Sequence, residues 1–410
     1  MVRRNKVLII LSQYFYPEIA STGQLLTELA EDLTKYGYSV KVYTGKPSYC
    51  KSIEKCKKEE LYQGVKIYRV FNTTFSKDNK LGKILNSLSY FISVLFKLLS
   101  SKDRYPLLIV SNPPFLSIAG FLLRKIRGQR YIFLIHDIYP DIAIKLGYLG
   151  ENSIIAKIWN KVNYQALRDA KEVIVLGEYM AETLEKKYFG MDNPKIKIVH
   201  NWADEEFILP IKKENNWFAK KYDLINKLVI LYSGNIGLSQ DLTTIVRAAD
   251  KLRNYEEILF LFIGDGGELN KLKEMVKENN LTNVKFLPYQ PKEYLPYSLT
   301  SSDISIVALE RGIEGLAVPS KIYGILASRR AVLGLVGENS EVADIIENAE
   351  CGFRVDQGDV NGLVEKIKYI YKNPEILRNM GKNSREYFEE HFTRRQMTRK
   401  YYKILENVNL

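Results

Sequence analysis

The chain has 410 residues, 46% of them hydrophobic and 26% charged, which suits two domains with separate cores rather than one domain or a disordered chain. Its three cysteines, Cys50, Cys56 and Cys351, are odd in number and lack metal-ligand spacing, which argues against a disulfide framework and for a reducing compartment. The net charge of +12 is lopsided: residues 1–205 carry 31 Lys and Arg against 20 Asp and Glu, a net of +11, and residues 206–410 carry 29 against 28. A genome-wide bias would act on both halves alike, so the first half points to an anionic partner: nucleic acid, anionic lipid or a phosphorylated acceptor.

In chain order, the basic start Met1–Lys6 followed by Val7–Leu11 mimics a secretory leader. Its apolar run of five residues is too short for one and suits a first buried strand. Apolar runs ending in small or polar residues predict parallel strands at Lys6–Ser12, Ser39–Thr44, Lys66–Arg69, Leu107–Ser111, Tyr131–His136, Glu172–Leu176 and Lys197–His200. Helical periodicity fills gaps between them, at Gln24–Tyr36 and Ile154–Asp169 among others. After a break around Asp204–Trp217, a second series predicts strands at Leu228–Ser233, Leu259–Gly264, Val284–Phe286, Ile304–Ala308, Ala331–Leu335 and Gly352–Val355. Leu242–Leu252 and Leu269–Glu278 read as helices between them, and Ser384–Asn407 as one final helix.

Two successive βαβ series predict two doubly wound, Rossmann-like α/β domains, at 1–205 and 206–385, with 386–410 as a C-terminal helix packing back on the first. Ligands of such sheets bind at the carboxyl ends of the strands, so a cleft between the domains is the expected site.

Ile84–Leu99 is apolar apart from a narrow stripe of Asn86, Ser89 or Tyr90, Ser93 and Lys97. As a helix it measures about 24 Å, short for a bilayer crossing, and no segment reaches the length of a membrane span. Lys77, Lys80, Lys83, Lys102 and Arg104 flank it. A helix lying on anionic lipid and a helix covering a sheet both fit this pattern, and the lopsided charge favours lipid.

Two segments carry chemistry in the second half. Leu231–Gly237 is a strand running into a glycine turn, Gly234-Asn235-Ile236-Gly237, with a helix starting near Asp241, a combination that admits phosphate. The G-x-G-x-x-G dinucleotide fingerprint is absent. Glu310–Lys321 then leads into the helix Ile322–Ser328, with Ser320 as expected cap. Lys321 in a first helical turn opposes the helix dipole, a placement that makes sense beside a bound anion. In the first half, His136 ends a buried strand with Asp137 beside it. Asp265 and Glu268 in a glycine turn read as structural, and His391 as surface.

With these residues in view, the chain resembles the retaining family-4 glycosyltransferases of the GT-B fold, and within them the amino-sugar (N-acetyl-L-fucosamine type) transferases of O-antigen and capsule assembly. The resemblance covers nearly the whole chain. It runs through Ser12–Glu18 with Gly23, His136–Pro140, His200–Asp204, Ser233–Gly237, Ile263–Gly266, Phe286–Pro288 and Glu314–Lys321.

It implies a UDP-sugar donor, with N-acetylated sugar, on the second domain. Gly234, Asn235, Gly237, Gly315, Ser320 and Lys321 would hold the diphosphate, Pro288 would lie near the base and Glu314 near the sugar. It implies a polyprenyl-diphosphate-linked acceptor on the first domain, near Tyr16, Glu18 and Gly23, with His136, Asp137 and Glu314 at the reacting centre. It places the enzyme in the cytoplasm, peripheral on the inner face of the cell membrane.

Two departures stand out: Gly324 occupies the place of a ribose-binding glutamate, and Leu238 and Asp241 stand where cations are common. No Asp-x-Asp metal signature lies in a suitable loop, so neither metal nor cofactor is expected, and helix dipoles with Lys321 would stabilise the leaving diphosphate. A UDP-sugar 2-epimerase on the same fold and a nucleic-acid-binding protein are the alternatives. The scattered cations and the lack of a recognised module disfavour the latter.

Overall fold

The computed structural model describes residues 6–18, 20–47, 57–75, 80–190 and 195–408. Cys50, Cys56 and Lys77 lie outside them. The chain divides into two compact units, the first made of Met1–His200 with Met397–Leu410 and the second of Asn201–Gln396.

The first unit holds strands β1 (Lys6–Leu11), β2 (Tyr38–Thr44), β3 (Glu59–Tyr62), β4 (Val65–Arg69), β5 (Leu107–Val110), β6 (Tyr131–Leu134), β7 (Val173–Val175) and β8 (Ile196–Ile198). They form one sheet in the order β3-β4-β2-β1-β5-β6-β7-β8. All neighbours are parallel except β3 with β4. Residues Leu8–Leu11, Leu107–Val110 and Tyr131–Leu134 are buried throughout, as expected of strands covered on both faces. The expected strand Lys66–Arg69 is β4, and the addition to the expected pattern is β3, which forms a hairpin with it. This short, polar edge strand has no apolar alternation to reveal it, and the hairpin turns through Gln63 and Gly64, both at positive φ.

The second unit holds β9 (Leu228–Ser233), β10 (Ile258–Ile263), β11 (Val284–Leu287), β12 (Ile304–Ala308), β13 (Ala331–Leu335) and β14 (Gly352–Val355), in the order β11-β10-β9-β12-β13-β14. This is the doubly wound 3-2-1-4-5-6 order, whose direction reverses between β9 and β12. Its core packs Phe260, Phe262, Ile306 and Leu333 of the sheet against Ile245, Ala248, Leu363 and Ile367 of the covering helices.

The expected last helix is two helices, Ile376–His391 and Arg394–Asn407. The break is chemical. Thr393 and Gln396 form a reciprocal capping box, the Thr393 N–H donating to Gln396 Oε1 at 3.3 Å and the Gln396 N–H to Thr393 Oγ1 at 3.3 Å. The second of these helices belongs to the first unit from Met397 onward, where Glu406 meets Lys6 at 2.5 Å and the Tyr38 hydroxyl at 3.1 Å.

The apolar helix is also longer than expected: it spans Lys80–Ser100, 21 residues and about 31 Å, and its length and composition suffice to cross a membrane. A stripe of Gly82, Asn86, Tyr90, Val94 and Leu98 is nevertheless buried in the first unit. There the Tyr90 hydroxyl donates to the Tyr43 carbonyl at 2.8 Å and Asn86 bonds both backbone groups of Phe75.

Candidate functional site

In the second unit the expected residues gather at the carboxyl end of the sheet. Ser233, Ile263 and Leu287 are in register, so the turns after β9, β10 and β11 start level, and Pro288 stands exposed at the third. The first two turns interlock. Gly264 (φ +152°) and Gly266 (φ +157°) lie so close to the Gly234–Ile236 backbone that a Cβ would fall 1.9 Å from the Gly234 carbonyl oxygen and 2.2 Å from that of Ile236. Three amides of the first turn are spent inside the protein. Gly234 donates to Ile263 O at 2.8 Å, Ile236 to Asp265 O at 2.9 Å and Gly237 to Gln240 Oε1 at 3.1 Å. The following helix, Leu242–Lys251, is capped by Asp241, whose carboxylate accepts from the Thr244 and Gly358 amides. A carboxylate thus already occupies the anion position expected at this helix start.

Two cations stand in the loop after β12: Arg311, whose guanidinium donates to the Gln357 carbonyl at 3.1 Å, and Lys321. The Lys321 side chain lies across Gly234 (φ +138°), where a Cβ would stand 2.3 Å from Lys321 Cε, so a side chain at position 234 would push the lysine aside. The ammonium sits over the buried Tyr232 ring at 5.1 Å, and the Tyr232 hydroxyl donates to the Asn235 carbonyl at 2.5 Å, fixing ring and turn together. Among the described residues no carboxylate pairs with Lys321, and burial pulls its pKa down to about 8. Ser320 precedes the helix Lys321–Ala327 but does not cap it through its side chain: it already has helical φ and ψ, whereas a capping residue is extended.

Glu314 is a tie between loops. Its carboxylate accepts from the Gly312 amide at 2.7 Å, from the Gly337 amide at 3.2 Å and from the side-chain amide of Gln357. Gly312 and Gly315 both adopt left-handed φ around it. The segment Gln357–Gly358 after β14 thereby holds both loops beside the reversal point, since Gly358 bonds Asp241 and Gln357 bonds Glu314. The Glu310 amide adds a direct link to the Ser239 carbonyl at 2.9 Å. Nothing in the residue pattern announces Gln357, because its partners lie 43 and 46 positions away. A Cβ at Gly324 would meet only Leu299 and Ile208, so that position faces apolar packing.

In the first unit, His136 lies two residues beyond the end of β6, and its amide donates to Ser111 Oγ at 2.9 Å. Its imidazole is buried and has no hydrogen-bond partner among the described residues. Burial lowers its pKa to about 4, and burial raises that of Asp137 to about 6. Asp137, Ser111, Tyr139, Asn163 and Tyr188 line a cavity of about 20 Å³. Tyr16 stacks on Tyr62 at 3.7 Å and is tied to Thr27, and its carbonyl accepts from Arg69 at 2.9 Å. Glu18 is buried against Gly23, where a Cβ would stand 3.2 Å from that of Glu18.

The two shifted groups in the first unit act on stability with opposite signs. His136 titrates in the fold at about 4 against 6.5 unfolded, so stability falls as pH drops through that window. Asp137 titrates in the fold at about 6 against 3.8, so the folded form keeps the proton longer and stability rises as pH drops. Each contribution reaches at most about 3 kcal/mol, and between pH 4 and 6 they offset one another. Urea midpoints measured from pH 7 to pH 4 should fall more steeply in Asp137→Asn than in the wild type and should rise in His136→Asn. Parallel curves for all three proteins would contradict this account.

The chain matches two family models, "Glycosyltransferase Family 4" over residues 22–207 and "Glycosyl transferases group 1" over residues 214–387. It is 27% identical over 301 residues to the probable glycosyltransferase WbjE of Pseudomonas aeruginosa, covering 72% of this chain and 74% of that protein. It is 28% identical over 326 residues to the putative colanic acid biosynthesis glycosyl transferase WcaI of Escherichia coli K12, covering 76% of this chain and 79% of that one. Among solved structures, Anabaena HepE in complex with UDP and glucose superposes with a TM-score of 0.75 at 13% identity, over 98% of this chain and 100% of that one.

Proposed function

Because the chain belongs to the family-4 glycosyltransferases of the GT-B fold, we propose that it transfers an N-acetylated sugar, with retention, from a UDP-sugar to a polyprenyl-diphosphate-linked saccharide in surface-glycan assembly. The observation that carries the donor half is Lys321, a cation held over Tyr232 without a carboxylate partner, at the point where the strand order reverses. An unpaired cation costs stability, and a diphosphate returns it. UDP in HepE and the colanic acid role in the name of WcaI support the donor class and the polysaccharide setting.

In this reading Lys321 receives the diphosphate, Gly234, Asn235, Gly237, Gly315 and Ser320 form the surface it lies on, with the Gly234 and Gly237 amides already bonded within the protein, and Pro288 flanks the base. The three bonds that Glu314 accepts leave part of its acceptor capacity for a sugar hydroxyl. In a retaining transfer the acceptor attacks the face the diphosphate leaves, and the departing phosphate oxygen takes the proton. The protein's part is positioning and charge stabilisation, with no resident metal or cofactor. His136 and Asp137 come from the acceptor unit with Tyr16, Glu18 and Gly23. With its pKa near 4, His136 serves as a neutral hydrogen-bonding group at pH 7.

The apolar helix Lys80–Ser100 supports a peripheral position on the inner face of the membrane, where lipid-linked acceptors are reached. Its Ile84, Leu88, Ile92 and Phe96 are exposed. The test is a thermal-shift screen of nucleotide sugars followed by transfer assays on polyprenyl-diphosphate sugars. We expect stabilisation by UDP and one UDP-sugar, and a product that requires both substrates. His136→Asn should lose at least about tenfold in turnover, roughly 1.4 kcal/mol of transition-state stabilisation. A product formed from donor alone would instead identify an epimerase.

A further inference from the structure

The helix Lys80–Ser100 is one of three that the topology lays side by side. The connections β4 to β5, β5 to β6 and β6 to β7 all step across the sheet in one direction. Right-handed crossovers therefore place their helices, Lys80–Ser100, Leu116–Arg127 and Ile154–Asp169, on the same face. The middle helix packs against both others.

This layer has an inverted surface. Leu81, Ile84, Leu88, Ile92 and Phe96 are exposed on the first helix, Ile126 on the second, and Ile154, Ile155 and Ile158 on the third, Ile154 at 75%. Such a concentration of bare aliphatic and aromatic side chains marks a contact surface. The charge is equally one-sided. The three helices carry nine Lys and Arg (Lys80, Lys83, Lys97; Arg124, Lys125, Arg127; Lys157, Lys161, Arg168) against one acid, Asp169, which Lys125 neutralises at 3.0 Å. The net of +8 accounts for most of the +11 of residues 1–205. Lys83, Lys97, Lys125, Lys157, Lys161 and Arg168 are exposed.

We infer that the whole three-helix layer docks on an anionic lipid bilayer, with Ile154, Ile155 and Ile158 as a second insertion point beside the helix Lys80–Ser100. The charge decides the occupant. A second copy would set six exposed cations against six, whereas a bilayer with anionic headgroups takes the apolar side chains at its surface and the lysines among its phosphates. Two insertion points on separate helices fix the orientation of the acceptor unit on the membrane, which a single helix leaves free to rotate. The inference rests on the membrane reading above and extends it to residues outside the apolar helix.

The test uses the full-length protein and sedimentation with vesicles of phosphatidylcholine alone or mixed with phosphatidylglycerol. Three proteins are compared: wild type, Ile154→Ser/Ile155→Ser/Ile158→Ser, and Leu88→Ser/Ile92→Ser/Phe96→Ser. Wild type is expected on the mixed vesicles only. Each triple variant should lose at least about tenfold in vesicle affinity, with melting temperature and UDP affinity unchanged because the substituted side chains are exposed. Loss in the Leu88 variant with full binding by the Ile154 variant would overturn the extension and leave the single-helix reading standing. Wild type that ignores both vesicles would overturn both. So would a wild-type dimer that the Ile154 substitutions dissociate, since the face would then belong to a second copy.

Discussion

Replacing Lys321 by Met is expected to raise the melting temperature of the ligand-free protein while lowering its affinity for UDP by at least tenfold. The two halves of this expectation have one cause. In the folded protein burial holds the lysine near a pKa of 8 against 10.5 unfolded, so the charged form is disfavoured by folding at neutral pH, and removing it relieves that cost. Methionine keeps the aliphatic stem that crosses Gly234. The loss of a charge-assisted hydrogen bond to the diphosphate should cost about 1.5–3 kcal/mol of binding. In the wild type UDP affinity should also weaken as pH rises through about 8 and the ammonium discharges, a dependence the variant lacks. Calorimetric titration with UDP at pH 7 and pH 9, with melting curves on both proteins, checks all three. A variant that is destabilised and still binds UDP normally would make Lys321 a structural residue.

Gly264→Ala is expected to cost at least about 3 kcal/mol of stability. Its φ of +152° suits glycine, and the added methyl would meet the Gly234 carbonyl oxygen at 1.9 Å, a backbone atom that cannot move without dragging the turn beneath Lys321. Gly267 is the internal control, three residues along in the same turn. Nothing lies within 4 Å of its added Cβ, so Gly267→Ala should change stability by less than about 1 kcal/mol. Denaturant midpoints on the two variants separate the effects. Equal midpoints would show that the interlocked turns do not pack as described.

Much of this was legible in the residues. The buried strands betray themselves as apolar runs because parallel strands are covered on both faces, and β9, β12, β13 and β14 run over the residues the pattern predicts. Lys321 stands out because a cation at a helix start is anomalous without an anion. What the pattern hides are bonds between distant segments. Asp241 reads as the start of a helix, but that its carboxylate fills the anion position depends on Gly358, 117 residues on. Glu314 reads as a free site carboxylate until Gly337 and Gln357 are folded against it. The break at Thr393 is a different kind of miss, since Thr393-Arg394-Arg395-Gln396 is a capping box readable in sequence, masked by helical periodicity on either side. The apolar face of Ile154–Ile158 is hidden for the opposite reason: isolated isoleucines in an amphipathic helix look like core until the sheet shows which side they face.

A nucleoside diphosphate bound to the second unit between the turn after β9 and the loop after β12 should slow amide exchange in both segments. Amide hydrogen exchange with and without saturating UDP tests it most directly. Slowed exchange is expected in residues 233–241 and 310–322, with weaker protection around 286–290 and no such protection in Lys321→Met at the same UDP concentration. Protection confined to the first unit, or protection of 233–241 that survives the loss of Lys321, would contradict it.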